Sequence, residues 1–261
     1  MTAIRNSWII TQRDLLHWVR QPALPIFGVV FNIMILLMFA FLFGGAIEVP
    51  GADRGSYIAF LLPGMFALTM LFGLESTMAA MSDDAQKGVT DRFRSMPIGA
   101  SAVVGGRAGA DVLYSALSLA VLIVGGLLIG WRVESDLLSA LAAVALLLWL
   151  RFALLWVGIF LGLFVRGAGA TSAVQVLVWP LGFISNVFVA PETMPAWLAP
   201  IADWNPISAT ATAARQLFGN PTGVTQNWFS ENSITLAIVG PLVITLIFLP
   251  LSAIAYRRLK R

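Results

Sequence analysis

Long apolar runs, each about twenty residues or more and free of charge, follow one another through this chain: residues 21–47, 55–74, 112–131, 167–191 and 232–256. A sixth, 137–165, is interrupted only by Arg151. Crossing a hydrocarbon layer of about 30 Å takes about 20 helical residues, and in lipid only a helix or a closed barrel satisfies its own backbone polar groups. The pattern predicts an all-α membrane protein, one domain over 1–261, with transmembrane helices at 22–47, 55–81, 109–131, 137–165, 168–190 and 233–256. The first run is too long for the apolar core of a signal peptide and lacks a small-residue cleavage site.

Three flanking segments carry other periodicities. In residues 1–21, Ile4, Trp8, Leu15 and Val19 share one helical face, with Asn6, Arg13, His17 and Arg20 opposite, until Pro22 and Pro25 end the pattern. That is an amphipathic helix lying in the membrane interface. Residues 82–97 read as a second surface helix, with Ser82 as N-cap, Asp83 and Asp84 in the first turn and Pro97 at the close. Its Lys87, Asp91, Arg92 and Arg94 add more mixed charge than anchoring needs. Residues 191–219 hold Pro191, Pro195, Pro200 and Pro206, so they form no continuous span. Met194, Trp197, Leu198, Ile201 and Trp204 fit one face of a short helix. Asn205 then caps a second helix opened by Pro206 and stopped by Gly219. Both are too apolar to stand in water and are expected to re-enter the outer leaflet or pack over the bundle.

Charge gives orientation. Of 16 basic residues, twelve lie near the N-terminus, after the second and fourth runs, or in the tail, and only Arg54, Arg132 and Arg215 lie on the other side. By the positive-inside rule both termini are cytoplasmic and the chain is a multi-pass protein of the cell membrane. A net charge of +3 on 261 residues offers no nucleic-acid surface, and without cysteine and with a single histidine there is no metal cluster. The two lysines, Lys87 and Lys260, follow no glycine-rich phosphate loop, so the chain does not hydrolyse ATP and is not itself an enzyme.

Arg151 is the costliest residue in the sequence, and within lipid it must face the bundle interior and find a partner. Glu75 is the first candidate and Asp111 the second. Gln175, Ser185 and Asn186 are polar positions of the fifth run, which Pro180 is placed to kink, and Asn32 stands among Phe31, Met34 and Met38 in the first. Adaptable Phe and Met side chains suit an apolar or amphipathic cargo. Gly105/Gly109, Gly126/Gly130 and Gly158/Gly162 have the spacing that lets helices approach closely.

The stretch "FVAPETMPAWLAPIADWNP" after the fifth run, the charged "KGVTDRFRSMPI" after the second and the tail "LSAIAYRR" together resemble the membrane subunit of type-2 ABC exporters, nearest the daunorubicin-exporter-like branch. The resemblance covers the whole chain. It implies a permease that works with two copies of a cytoplasmic ABC ATPase, which would bind the ATP and Mg, and with a second permease, identical or a paralogue, among membrane lipids. It implies that Asp83, Asp84, Lys87, Asp91, Arg92 and Arg94 form a coupling helix against the ATPase. Pro191, Glu192, Met194, Pro195, Trp197, Trp204, Asn205, Pro206 and Arg215 would then belong to an extracellular gate, and the first and fifth helices, with Phe31, Asn32, Met34, Met38, Gln175, Ser185 and Asn186, to the dimer seam and translocation route. The implied function is export of a hydrophobic or amphipathic drug, lipid or glycolipid. A proton-coupled secondary transporter using Glu75 or Asp111 lacks the inverted repeats such folds carry. An intramembrane lipid-modifying enzyme lacks a catalytic cluster.

Overall fold

Glycine and proline set most helix ends. The computed structural model describes residues 3–20, 22–43, 57–88, 100–164, 168–223 and 227–258, all of whose regular elements are helical. They are α1 (Ala3–Arg20), α2 (Ala23–Met38, continued by a π turn Phe39–Phe43), α3 (Tyr57–Gln86), α4 (Ala100–Leu128), α5 (Leu137–Phe164), α6 (Ala168–Phe183), a 3-10 turn Pro191–Thr193, α7 (Ala199–Asp203), α8 (Pro206–Phe218), α9 (Trp228–Glu231) and α10 (Ser233–Arg258). Helices α3, α4, α5 and α10 are long and apolar enough to cross a membrane. Helices α2 and α6, at 16 residues each, are apolar but short of a straight span.

Several boundaries differ from those the sequence predicts. Helix α3 does not end at 81: with no breaker before Gly88, whose φ is +66°, it runs on to Gln86. Ser82 therefore lies inside the helix, accepting a bond from Gln86 Nε2 at 3.1 Å, and is no N-cap. Helix α4 begins at Ala100, so Arg107 is a helical residue and not a loop one. Helix α6 stops at Phe183, seven residues before the predicted end at 190. The cause is Asn205, whose Nδ2 donates to the carbonyls of Leu181 at 2.8 Å and Ile184 at 3.0 Å.

Helix α3 is the axis of the bundle, buried along most of its length, and α5 lies closest to it. A Cβ at Gly158 would sit 2.8 Å from the Leu74 carbonyl oxygen, and one at Gly162 2.6 Å from that of Met78. The two glycines thus set the approach of α5 to α3. Asp136 caps α5 by accepting from the backbone of Leu138 and Ser139 and from the Ser139 hydroxyl, bonds that hold its carboxyl below the usual range.

Helix α1 docks on the glycine-rich start of α4. Thr11 Oγ1 donates to the Gly106 carbonyl at 2.8 Å, and a Cβ at Gly106 would meet the Ser7 carbonyl oxygen at 2.6 Å. The docking face carries Ser7, Ile10 and Thr11. Trp8, on the predicted apolar face, points away from the bundle and is exposed.

Helices α7 and α8 form a cap across the end of the bundle where α3 begins. Asn205 Oδ1 accepts from Ile207 N at 2.9 Å, Pro206 stands at the first helical position, and Gly219 closes α8 with φ +75°. Helix α8 is buried along most of its length between α3, α5 and α10.

Candidate functional site

Three helices bring polar side chains together in the bundle interior. Arg151 of α5 is fully buried; its Nη2 donates to Thr77 Oγ1 of α3 at 2.6 Å and its Nε to Ser115 Oγ of α4 at 2.8 Å. Thr77 in turn donates to Asp111 Oδ2 at 2.8 Å, and Arg151 Nη2 lies 3.7 Å from that same oxygen. Glu75 makes no ion pair with Arg151, so the first-choice partner is corrected to Asp111. The reason is helical geometry. Asp111 and Ser115 are one turn apart on the face of α4 toward α5, whereas Glu75 and Thr77, two residues apart, point to opposite sides of α3. Gly73 makes the room, since a Cβ there would lie 2.6 Å from Arg151 Nε.

The cluster extends along α4 toward the far end of α3. Arg107 Nε lies 3.9 Å from Asp111 Oδ1, and Arg107 Nη1 lies 3.2 Å from Asp84 Oδ2. Asp83 and Lys87 pair at 2.7 Å one turn apart, a bond that raises the ammonium's pKa. Of the predicted coupling residues, Asp83, Asp84 and Lys87 are thus placed at the end of α3, and Asp91, Arg92 and Arg94 lie outside the described residues.

Beside the charge cluster is a cavity of about 280 Å³ between α2, α3, α4 and α6, whose lining includes Phe31, Asn32, Phe72, Glu75, Tyr114 and Trp179. Gly73 and Ser115 form part of the wall that separates it from Arg151. Phe31 meets Trp179 edge-on at 5.8 Å and Phe72 meets Trp179 at 4.7 Å, making one side of the cavity aromatic. Two buried oxygens, Glu75 Oε1 and Asn32 Oδ1, find no hydrogen-bond partner among the described residues. The mouth lies where Gly28, Phe31 and Ser76 are exposed.

The predicted route residues separate. Phe31, Met34 and Met38 share an exposed face of α2, and Asn32 turns inward to the cavity. The side chain of Gln175 lies outside the described residues. Ser185 and Asn186 are not on a spanning helix at all. They follow α6 as a buried turn under the cap, where Asn186 N donates to Ser208 Oγ at 3.0 Å and Asn186 Nδ2 to Thr212 Oγ1 at 2.6 Å.

The predicted gate residues gather at the cap. Pro191 is buried there, Glu192 and Pro195 are exposed, and Met194 is half-buried. Burial, helped by Glu192, raises the carboxyl of Asp203 above its usual pKa. Trp197 and Trp204 are 71% and 70% exposed, so their face of the cap is bare in the single chain; Trp204 meets Phe229 at 5.2 Å. Arg215 is the cap's anchor and not a surface residue. Its Nε donates to the Phe60 carbonyl at 2.8 Å, its Nη2 to those of Asn186 at 2.9 Å and Val187 at 3.1 Å, and its guanidinium stacks 3.7 Å from the Phe60 ring centroid. Gly64 leaves space for it: a Cβ there would be 2.8 Å from Nη2. Thr77 and Ser115 escaped the sequence reading, although the four-residue spacing of Arg107, Asp111 and Ser115 marks one polar helical face.

Two comparisons bear on this arrangement. Residues 5–218 match the family model described as ABC-2 type transporter. The chain is also 33% identical over 257 residues to the daunorubicin resistance ABC transporter permease protein DrrB1 of Streptomyces coeruleorubidus, covering 98% of this chain and 87% of that protein. A helical bundle with apolar spans, a buried arginine cluster and a capped end, matched over most of its length to these permeases, belongs to the ABC-2 type transporter family of membrane proteins.

Proposed function

We propose that this chain is the permease subunit of an exporter that moves a hydrophobic or amphipathic cargo outward across the cytoplasmic membrane, driven by a separate ABC ATPase. The observation that carries the reading is the match along 98% of the chain to a permease whose name records daunorubicin resistance. The absence of a phosphate-binding loop in the sequence supports an ATPase on another polypeptide; the family resemblance suggests two copies of it per complex, binding ATP and Mg. In this reading α2 with its π turn and α6 complete a set of six spans, both termini are cytoplasmic, and the cap is the extracellular gate. The bare apolar side chains of α2 and α6, among them Phe27, Met34, Val176 and Leu177, suit contact with lipid and with a second permease, a copy or a paralogue. The end of α3 and the segment after it deliver the force of ATP hydrolysis.

Inside-out vesicles containing the permease and its ATPase are the test. ATP-dependent uptake of a fluorescent amphipath that needs both subunits, together with ATPase stimulation by that amphipath, is the expected result. Uptake that persists without ATP and collapses when the proton gradient is dissipated overturns the reading in favour of a secondary transporter.

A further inference from the structure

Helices α2 and α6 bring no charged residue to the cavity they share with α3 and α4. Among the described residues the acidic side chain on its wall is Glu75, whose Oε1 is buried without a hydrogen-bond donor. The nearby cation is directed elsewhere: Arg151 bonds through Nη2 to Thr77 and through Nε to Ser115 and faces Asp111 at 3.7 Å, behind the wall formed by Gly73 and Ser115, and it makes no ion pair with Glu75, although its buried Nη1 has no partner among the described residues. Asp111 is itself shared with Arg107. The cavity therefore holds a carboxylate with no counter-charge within ion-pair distance among the described residues, in the same lining as the rings of Phe31, Phe72 and Trp179.

We propose that this cavity is a binding site for the positively charged end of an amphipathic organic cation, with Glu75 as its counter-charge and the rings of Phe31, Phe72 and Trp179 in its wall. The inference rests on the export reading and names the class of cargo. A carboxylate oxygen removed from water without a donor is costly, and a ligand cation removes that cost. A cation beside the aromatic rings is attracted as well by their quadrupoles. An anionic ligand meets repulsion from Glu75, and a neutral one leaves the carboxylate unmatched. A volume of about 280 Å³ is near the lower end for drug-sized ligands, roughly 300 Å³. The site thus takes the charged head of a larger molecule, and the mouth beside Gly28 and Phe31 leaves the apolar remainder toward the exposed face of α2.

The test measures equilibrium binding to the full-length permease in phosphatidylcholine nanodiscs, with empty discs subtracted and no ATPase present. The probes are methyltriphenylphosphonium, a permanent cation, and triphenylphosphine oxide, a neutral molecule of similar shape. The expected result is saturable binding of the cation at least tenfold tighter than the neutral probe. Glu75→Gln should weaken the cation at least tenfold and leave the neutral probe within twofold, with Glu75→Asp retaining most of the preference. Equal affinities for the two probes, no saturable cation binding, or a preference that survives Glu75→Gln overturns the proposal. If Glu75→Gln is not monodisperse on size exclusion, Phe72→Leu decides: a threefold or larger loss of cation affinity is expected, and an unchanged affinity overturns it. Without the ATPase in the assay, a negative result leaves ATP-driven export standing, and failure of ATP-dependent uptake leaves this binding result standing.

Discussion

The guanidinium of Arg151 lies 3.7 Å from the carboxylate of Asp111, and Thr77 is hydrogen-bonded to both. The three side chains come from α5, α4 and α3, so one polar cluster ties together helices that otherwise meet through apolar surface. Breaking a buried pair by removing one partner costs about 3–5 kcal/mol, whereas replacing both with apolar groups is often neutral. Arg151→Met and Asp111→Asn should each lower the thermal midpoint of the purified permease. The double variant should be less damaged than the sum of the two, by more than about 1 kcal/mol in the cycle. Additive losses would mean that the two residues act separately.

The approach of α5 to α3 at Gly158 and Gly162 has no slack, because the neighbouring atoms are the backbone oxygens of Leu74 and Met78. Gly162→Ala should destabilise the permease by about 1–3 kcal/mol, the cost of overpacking a core. Gly125→Ala is the control. A Cβ there meets nothing within 4 Å, and alanine is the better helix former by about 1 kcal/mol, so that variant should match or exceed the parent in thermal stability. A loss at Gly125 equal to that at Gly162 would show that a general helix effect, and not the close contact, is responsible.

Elements governed by local chemistry were legible in the sequence. The apolar runs marked the helices, and Asn205, Pro206 and Gly219 marked both ends of α8, because a cap, a fixed φ and a left-handed residue act within one turn. Features that depend on which faces meet were not. Spacing along the chain places Glu75 near Arg151 in depth but does not say that α3 turns Glu75 toward α2 and Thr77 toward α5. Arg215 likewise counts as one more basic residue beyond the fifth run. Its burial follows from Gly64 on a helix 151 residues earlier in the chain.

That long-range contact is testable. Three backbone carbonyls and one aromatic face receive the Arg215 guanidinium, and a lysine ammonium cannot reproduce the planar fork. Arg215→Lys should therefore resemble Arg215→Gln more than the parent, with a stability loss of about 3 kcal/mol or more from the carbonyls left without a donor. Limited proteolysis between α6 and α8 should accelerate in both variants. A Lys variant as stable and protease-resistant as the parent would show that charge alone holds the cap.

Trp197 and Trp204 test the gate separately from the fold. Both are more than two-thirds exposed, so their removal leaves no cavity in the described bundle. Trp197→Ala and Trp204→Ala should shift the thermal midpoint little. Transport or basal ATPase rate in the assembled complex should change at least twofold in one of them. Transport and ATPase rates equal to the parent's in both variants would remove the tryptophans from the gate.

The final prediction concerns energy transfer from the proposed ATPase. At the end of α3, Asp84 is paired across to Arg107 of α4 at 3.2 Å, and Asp111 carries the same row of charge on to Arg151. In the proposed coupling, a push on the segment following Gln86 would be applied at one end of a polar ladder that reaches the bundle interior. Arg92 and Arg94 follow in sequence within the segment read as the ATPase contact. Each exposed ion pair at such a rim is worth only about 0–1 kcal/mol, so a single change is a weak probe and a double reversal to Glu is the informative one. If that segment is the ATPase contact, reversal replaces two positive charges there with two negative ones. Arg92→Glu with Arg94→Glu should weaken ATPase association about tenfold or more, or leave hydrolysis no longer stimulated by cargo. Thermal stability and size-exclusion profile of the permease alone should be preserved. Unchanged affinity together with unchanged stimulation would place the docking surface elsewhere, with the exposed face of α1 the next to be varied.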